Sequence, residues 1–107
     1  MKRLVKDRRV WITGGNSGIG AALAETCLRR GARCILSARD ETALRRVAAG
    51  LNEGYGEERA EILPLDLEDW GSIERAALEA GPRTDILFNN AGISQRSAFL
   101  DADPQTL

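Results

Sequence analysis

A glycine-rich stretch near the N-terminus has the residue types and spacing of a phosphate-binding loop. Residues 13–20 read TGGNSGIG, with four glycines in eight positions directly behind the apolar run at residues 9–13. Glycine lets the backbone turn sharply and lets another group approach the main chain closely. If a helix follows, its unpaired N–H groups and partial positive charge can bind a pyrophosphate. The alternative interpretation is a tight turn without a ligand.

The spacing of the glycines separates this loop from two other phosphate-binding patterns. It reads Gly14-x3-Gly18-x-Gly20, whereas many dinucleotide-binding folds carry G-x-G-x-x-G. A P-loop is excluded because no Gly-Lys-Ser/Thr sequence follows.

Strand-like and helix-like segments alternate along the chain and must position this loop. The pattern predicts strands at residues 9–13, 34–38, 61–65 and 84–89. It predicts helices at residues 17–30, from Asp40 to residues 52–56, and from Asp69, with a fourth helix beginning at Asp103-Pro104. The order βαβαβαβ favours parallel pairing with right-handed crossovers, hence an open α/β sheet. Pro64 cannot donate a ladder hydrogen bond, which favours an edge position for the third strand.

Each of the first three predicted helices has an apolar stripe at helical spacing, which predicts the face that it buries. The expected buried residues are Ile19, Ala22, Leu23 and Thr26 in the first helix, Leu44, Val47, Ala48 and Leu51 in the second, and Ile73, Ala76, Ala77 and Ala80 in the third.

Composition limits the function classes. The chain has 107 residues, enough for one domain, with 43% hydrophobic and 29% charged residues. A net charge of −1 provides no basic field for nucleic acid, and no apolar run approaches the roughly 20 residues of a membrane span. We therefore expect a cytoplasmic protein without nucleic-acid or membrane partners. Cys27 and Cys34 lie in apolar segments and are expected to be reduced thiols, and histidine is absent from the sequence.

Three motifs together resemble the short-chain dehydrogenase/reductase family. Residues 13–20 match its cofactor loop TGxxxGIG, and residues 89–92 match its NNAG motif after the fourth strand. Asp66-Leu67, after the third strand, looks like its adenine-side contact. The resemblance runs from about Arg8 to the end and implies a Rossmann-like parallel sheet of order 3-2-1-4, truncated after the fourth strand. Residues 1–107 would then be a single, partial dinucleotide-binding domain.

The resemblance also implies roles for individual residues. The loop would contact the pyrophosphate and neighbouring ribose, Asp66 and Leu67 the adenine, and the NNAG segment the ribose side. Arg39, which follows the second strand, is considered separately below. The other implied cofactor-binding residues are Gly14, Asn16, Ser17, Gly18, Ile19, Gly20, Asp66, Leu67, Asn90, Ala91 and Gly92. Asp66 could instead be a turn or cap residue, and Asn89 and Asn90 could tie neighbouring strands together.

Arg39 indicates which dinucleotide the site prefers. NAD-specific sites place an acid after the second strand, where this chain has Ser37-Ala38-Arg39-Asp40. A guanidinium can bind a 2′-phosphate bidentately, so we predict NADP over NAD. Asp40 could reach the ribose instead, although we interpret it as the cap of the second helix. A solvated arginine at a helix start remains the alternative for Arg39.

The family's catalytic Ser and Tyr-x-x-x-Lys do not occur at matching positions. Tyr55 is followed four residues later by Arg59, and Ser94 and Ser97 follow NNAG too closely. We therefore assign no catalytic residue and no metal ligand. The chain is interpreted as the cofactor-binding half of an oxidoreductase acting on a carbonyl or alcohol substrate, inactive by itself. A non-catalytic nucleotide-binding or regulatory module and an S-adenosylmethionine-dependent transferase are the alternatives. An open fourth-strand edge also predicts a homo-oligomer or marginal stability.

Overall fold

A four-stranded parallel sheet forms the centre of the molecule. The computed structural model describes residues 5–56 and 58–90. The strands are β1 (Arg9–Thr13), β2 (Arg33–Ser37), β3 (Ala60–Ile62) and β4 (Ile86–Asn89), in the order β3-β2-β1-β4. This confirms the predicted fold class and strand order. Because all strands are parallel, their carboxyl ends meet at one edge of the sheet.

Helices connect successive strands and begin close to the predicted starts, and the predicted cap Asp40 caps the second helix. They are α1 (Gly18–Arg29), α2 (Glu41–Tyr55) and α3 (Trp70–Ala80), and a 3-10 turn (Gly81–Arg83) precedes β4. The side chains of Ser17, Asp40 and Asp69 each accept a hydrogen bond from a first-turn amide, which satisfies donors that a helix start leaves unpaired. The helix predicted at Asp103-Pro104 lies outside the described residues.

The two faces of the sheet bury separate apolar clusters. On one face, Val10, Ile12 and Leu36 pack with residues of α1 and α2. On the other, Trp11 and Ile35 pack with residues of α3 and of the segment after β3. The indole Nε1 of Trp11 donates a 2.8 Å hydrogen bond to the buried Ser37 Oγ, so the aromatic ring is buried without an unpaired donor.

The predicted stripe is correct for α2 but only partly correct for α1, where Leu23 packs against the core as predicted. Residue Ile19 is 60% exposed and Ala22 is also exposed. The buried residues of α1 are Gly20, Ala24, Cys27 and Leu28. The buried face keeps helical spacing but begins one residue later, at Gly20, which lies against Gly14 O of the loop and has no side chain to count as apolar. In α3, Ala76 and Ala80 are buried as predicted, whereas Ala77 is exposed.

The third strand is shorter than predicted, but the chain beyond it still follows β2. Leu63 N donates to Leu36 O at 2.9 Å and Leu65 N to Ala38 O at 3.0 Å, on either side of Pro64. The lack of an N–H at Pro64 is therefore tolerated at the edge position that was predicted for it. The other edge of the described sheet is β4, where Leu87 is 56% exposed.

Both cysteines are free thiols buried between α1 and β2, as expected from the sequence. A hydrogen bond with the Cys34 thiol lowers the pKa of Cys27 to about 7. The same bond, together with burial, raises the pKa of Cys34. Among the described residues, no helix is long and apolar enough to cross a membrane.

Candidate cofactor-binding site

The glycine loop bends over the carboxyl end of β2. Gly14 has a φ of 73°, a conformation that favours glycine. Its amide and that of Gly15 both donate to Ser37 O, at 2.6 and 3.1 Å. A Cβ on Gly15 would lie 2.9 Å from Leu36 Cβ, so the loop sits too close to β2 for a side chain. We did not predict a role for Gly15, although its place in the glycine run was the available signal.

Two other glycines of the loop have different surroundings. A Cβ on Gly20 would lie 2.2 Å from Gly14 O and 2.9 Å from Asn90 Nδ2, so this glycine is required by packing within the protein. A Cβ on Gly18 would meet no atom within 4 Å among the described residues. Packing within that part of the chain therefore gives no reason for glycine at position 18, whereas close approach of a ligand does.

The Ser17 hydroxyl holds the loop against the first turn of α1. It donates to Gly14 O at 2.9 Å and accepts from Gly20 N at 3.0 Å. The amides of Gly18 and Ile19 have no acceptor in the part of the chain that the structure describes. They lie at the positive end of the α1 dipole, which suits a diphosphate. Asn16 and the Ile19 side chain are exposed beside them.

The two asparagines after β4 tie this loop to the rest of the sheet. Thr13 Oγ1 donates to Asn89 Oδ1 at 2.7 Å, which connects the ends of β1 and β4. Asn90 Nδ2 donates to Gly14 O at 3.1 Å and to Ser17 Oγ at 2.8 Å. Both asparagines thus have the structural role that we considered as an alternative. The predicted ribose contact of Asn90 would fall to its remaining polar atom, Oδ1. The predicted residues Ala91 and Gly92 lie outside the described residues.

Arg39 follows β2 at the same edge and is held there by one long ion pair. Its side chain is 74% exposed, and its ion pair with the 86% exposed Glu68 spans 3.9 Å. Exposed pairs of this kind contribute about 0–1 kcal/mol, so little holds the guanidinium in place. Asp40 Oδ1 accepts from Ala43 N at 3.0 Å, which confirms its role as the cap of α2.

Asp66 and Leu67 form the corresponding turn after β3. Asp66 Oδ1 accepts from Glu68 N at 2.9 Å, so the turn role considered for this residue is present. Leu67 is 49% exposed. Arg39 and Asp66 line one open cleft of about 420 Å³. Their predicted adenosine contacts would lie in this cleft.

The predicted site residues within the described ranges therefore lie at one edge of the sheet. Backbone amides, a helix N-terminus and an exposed guanidinium form a set of groups that binds anions, and phosphate groups fit it. Tyr55 lies at the end of α2, which runs back toward the opposite edge of the sheet, so it cannot serve this site. Among the described residues, no group of three His, Cys, Asp or Glu is arranged to hold a metal ion.

Comparison with known proteins agrees with this architecture. The sequence matches the family model described as short chain dehydrogenase over residues 8–107. It is 44% identical over 100 residues to human dehydrogenase/reductase SDR family member 7, which covers 89% of this chain but 30% of that protein. The chain thus spans less than a third of this relative's length.

Two solved structures have the same fold over most of the chain. A short-chain dehydrogenase from Sphingobium yanoikuyae in complex with NADPH has a TM-score of 0.69 at 36% identity, covering 75% of this chain and 32% of that one. L-Sorbose reductase from Gluconobacter frateurii, complexed with NADPH and L-sorbose, has a TM-score of 0.73 at 28% identity. That match covers 95% of this chain and 40% of the reductase.

Proposed function

The chain belongs to the short-chain dehydrogenase family, and from this premise we propose that it is the NADP-binding part of an oxidoreductase. The proposed reaction transfers hydride between nicotinamide and a carbonyl or alcohol substrate. Membership in this family favours an oxidoreductase over the transferase that the glycine loop alone left open.

The observation that carries this proposal is the contrast between Gly18 and Gly20. Packing within the protein explains glycine at position 20, where a Cβ would lie 2.2 Å from Gly14 O. It does not explain glycine at position 18 among the described residues, where a Cβ would project into open space. That space borders the unbonded amides of Gly18 and Ile19. A diphosphate approaching the backbone accounts for both the missing side chain and the donors.

Arg39 supports NADP as the preferred dinucleotide. The 3.9 Å contact with Glu68 is weak, so the guanidinium can turn toward a 2′-phosphate at little cost. A hydrogen bond to a charged group contributes about 1.5–3 kcal/mol, or roughly one to two decades of affinity. Asp40 does not compete for the ribose in this arrangement because it caps α2. Both solved relatives described above were determined with NADPH.

The residues of this chain bind and orient the cofactor in the proposed function. The nicotinamide, when bound, supplies or accepts the hydride. The loop amides hold the diphosphate, and Asn90 keeps the loop in place through its bonds to Gly14 O and Ser17 Oγ. We assign binding and positioning roles, and no proton transfer, to the described residues that match family motifs.

The cofactor assignment is tested by replacing Arg39 with alanine and titrating NADP and NAD by calorimetry. NADP affinity should fall about 10- to 100-fold, whereas NAD affinity should change less than twofold. Arg29→Ala is the matched control, since Arg29 is an exposed arginine in the last turn of α1, far from the carboxyl edge. An unchanged ratio of the two affinities in Arg39→Ala would contradict the assignment.

We also propose that the protein self-associates through β4 and works in the cytoplasm. β4 is an edge of the described sheet, and Leu87 on it is 56% exposed, so a second copy could cover both. Two buried free thiols are typical of a reducing compartment, which supports the location.

A further inference from the structure

A second arginine lines the cleft that contains Arg39 and Asp66. Arg75 lies in the second turn of α3, and its side chain borders the same 420 Å³ opening. Side chains on a helix point back toward its N-terminus. The head group of Arg75 is therefore directed toward the carboxyl edge of the sheet, where α3 begins directly behind the turn at Asp66.

Gly71 provides the space into which this head group folds. It stands four residues before Arg75, so the two share one face of α3. A Cβ at position 71 would lie 3.2 Å from Arg75 Nη1 and 4.0 Å from its Cζ. The guanidinium thus lies over the first turn of α3, in space that a side chain at position 71 would occupy.

The guanidinium of Arg75 forms no ion pair with another described residue. Arg83 pairs with Glu61 at 2.8 Å and Arg45 pairs with Glu41, whereas Arg75 has no such partner there. Glu79 also lines the cleft, one turn farther along α3 and away from the carboxyl edge. Arg39 and Arg75 are the cationic side chains among the residues that line the cleft, and Asp66 and Glu79 are the acidic ones.

We infer that Arg75 is a second specificity-determining residue, which contacts the 2′-phosphate of NADP from the α3 side while Arg39 contacts it from the β2 side. This inference rests on the proposed function. A 2′-phosphate carries more charge than one guanidinium neutralises, so two cations from different elements can bind it together. NAD has a hydroxyl at this position and gains little from either arginine. Arg75 would therefore increase discrimination between the two dinucleotides and leave diphosphate binding unchanged.

The test uses 2′,5′-ADP and 5′-ADP as probes, because only the first carries the 2′-phosphate. Calorimetric titration of Arg75→Ala should show about 10-fold weaker binding of 2′,5′-ADP and less than a twofold change for 5′-ADP. Gly71→Leu should produce a similar selective loss, because its side chain would occupy the place of the guanidinium. Arg29→Ala is the control for removal of an arginine elsewhere, and thermal melting checks that each variant is folded.

The outcomes separate this inference from the proposal on which it rests. If Arg39→Ala weakens 2′,5′-ADP and Arg75→Ala does not, the inference is wrong and the NADP assignment stands. If neither variant affects 2′,5′-ADP, both are wrong. An equal loss for the two probes in Arg75→Ala would also overturn the inference, because it would indicate a structural or general electrostatic role.

Discussion

Replacement of Gly20 by alanine is the most direct test of how the loop is built. The added Cβ would lie 2.2 Å from Gly14 O, well inside the van der Waals contact distance of a carbon and an oxygen atom. It would also lie 2.9 Å from Asn90 Nδ2. The first of these neighbours is backbone, so relief requires the loop or the start of α1 to move by about an ångström.

The expected loss of stability follows from the hydrogen bonds that Gly14 O accepts. This carbonyl accepts from Ser17 N at 3.1 Å, Ser17 Oγ at 2.9 Å and Asn90 Nδ2 at 3.1 Å. Overpacking costs about 1–3 kcal/mol, and each weakened hydrogen bond costs about 0.5–1.5 kcal/mol more. Alanine in a helix recovers about 1 kcal/mol relative to glycine. With all three bonds weakened, the free energy of unfolding should therefore fall by about 1.5–6.5 kcal/mol, which lowers the melting temperature by at least about 6 °C.

The assay is urea unfolding followed by circular dichroism, with Gly50→Ala as the matched control. Gly50 lies within α2, and a Cβ there would meet no described atom within 4 Å. That variant should gain about 0.5–1 kcal/mol from helix propensity alone. If Gly20→Ala proved as stable as Gly50→Ala, the close approach of α1 to the loop would be refuted.

Two further predictions concern the ligand and the edge of the sheet. Gly18→Ala should leave the free energy of unfolding unchanged within about 0.5 kcal/mol, because its Cβ meets no described atom, but should weaken NADP binding in calorimetry by about 10-fold or more. Normal NADP affinity in this variant would contradict the proposed diphosphate position. Leu87→Glu should lower the average mass measured by sedimentation equilibrium, because it places a charge on the exposed β4 edge; a monomeric parent chain would refute self-association.

The predictions that succeeded rest on chemistry local to the sequence. Asp40 was predicted as a cap, and Ser17 and Asp69 as helix starts. All three cap helices because their oxygens reach amides two or three residues away. The strand order followed from the resemblance of three local motifs to the short-chain dehydrogenase/reductase family. The buried stripe of α2 was also predictable, because Leu44, Ala48 and Leu51 are themselves apolar.

The predictions that failed, and the features that were missed, depend on contacts between distant segments. Ile19 and Ala22 in the predicted α1 stripe are exposed because the buried face begins at Gly20, which hydropathy cannot identify. The structural role of Asn90 depends on hydrogen bonds to Ser17 and Gly14, which lie 73 and 76 positions earlier in the chain. The sequence could therefore indicate this role only as an alternative. The position of Arg75 in the cleft required both its side-chain direction and the absence of a side chain at Gly71.

The hydrogen bond from Asn90 to Gly14 also affects when, during folding, the glycine loop reaches its final conformation. The two residues are separated by 76 positions, and a contact of that range forms only after loop-closure entropy has been overcome. During synthesis, the N-terminal loop leaves the ribosome early but gains its last two hydrogen bonds only when β4 has docked beside β1. A nascent chain that stops before residue 90 would therefore carry the whole glycine sequence without the support that fixes its shape.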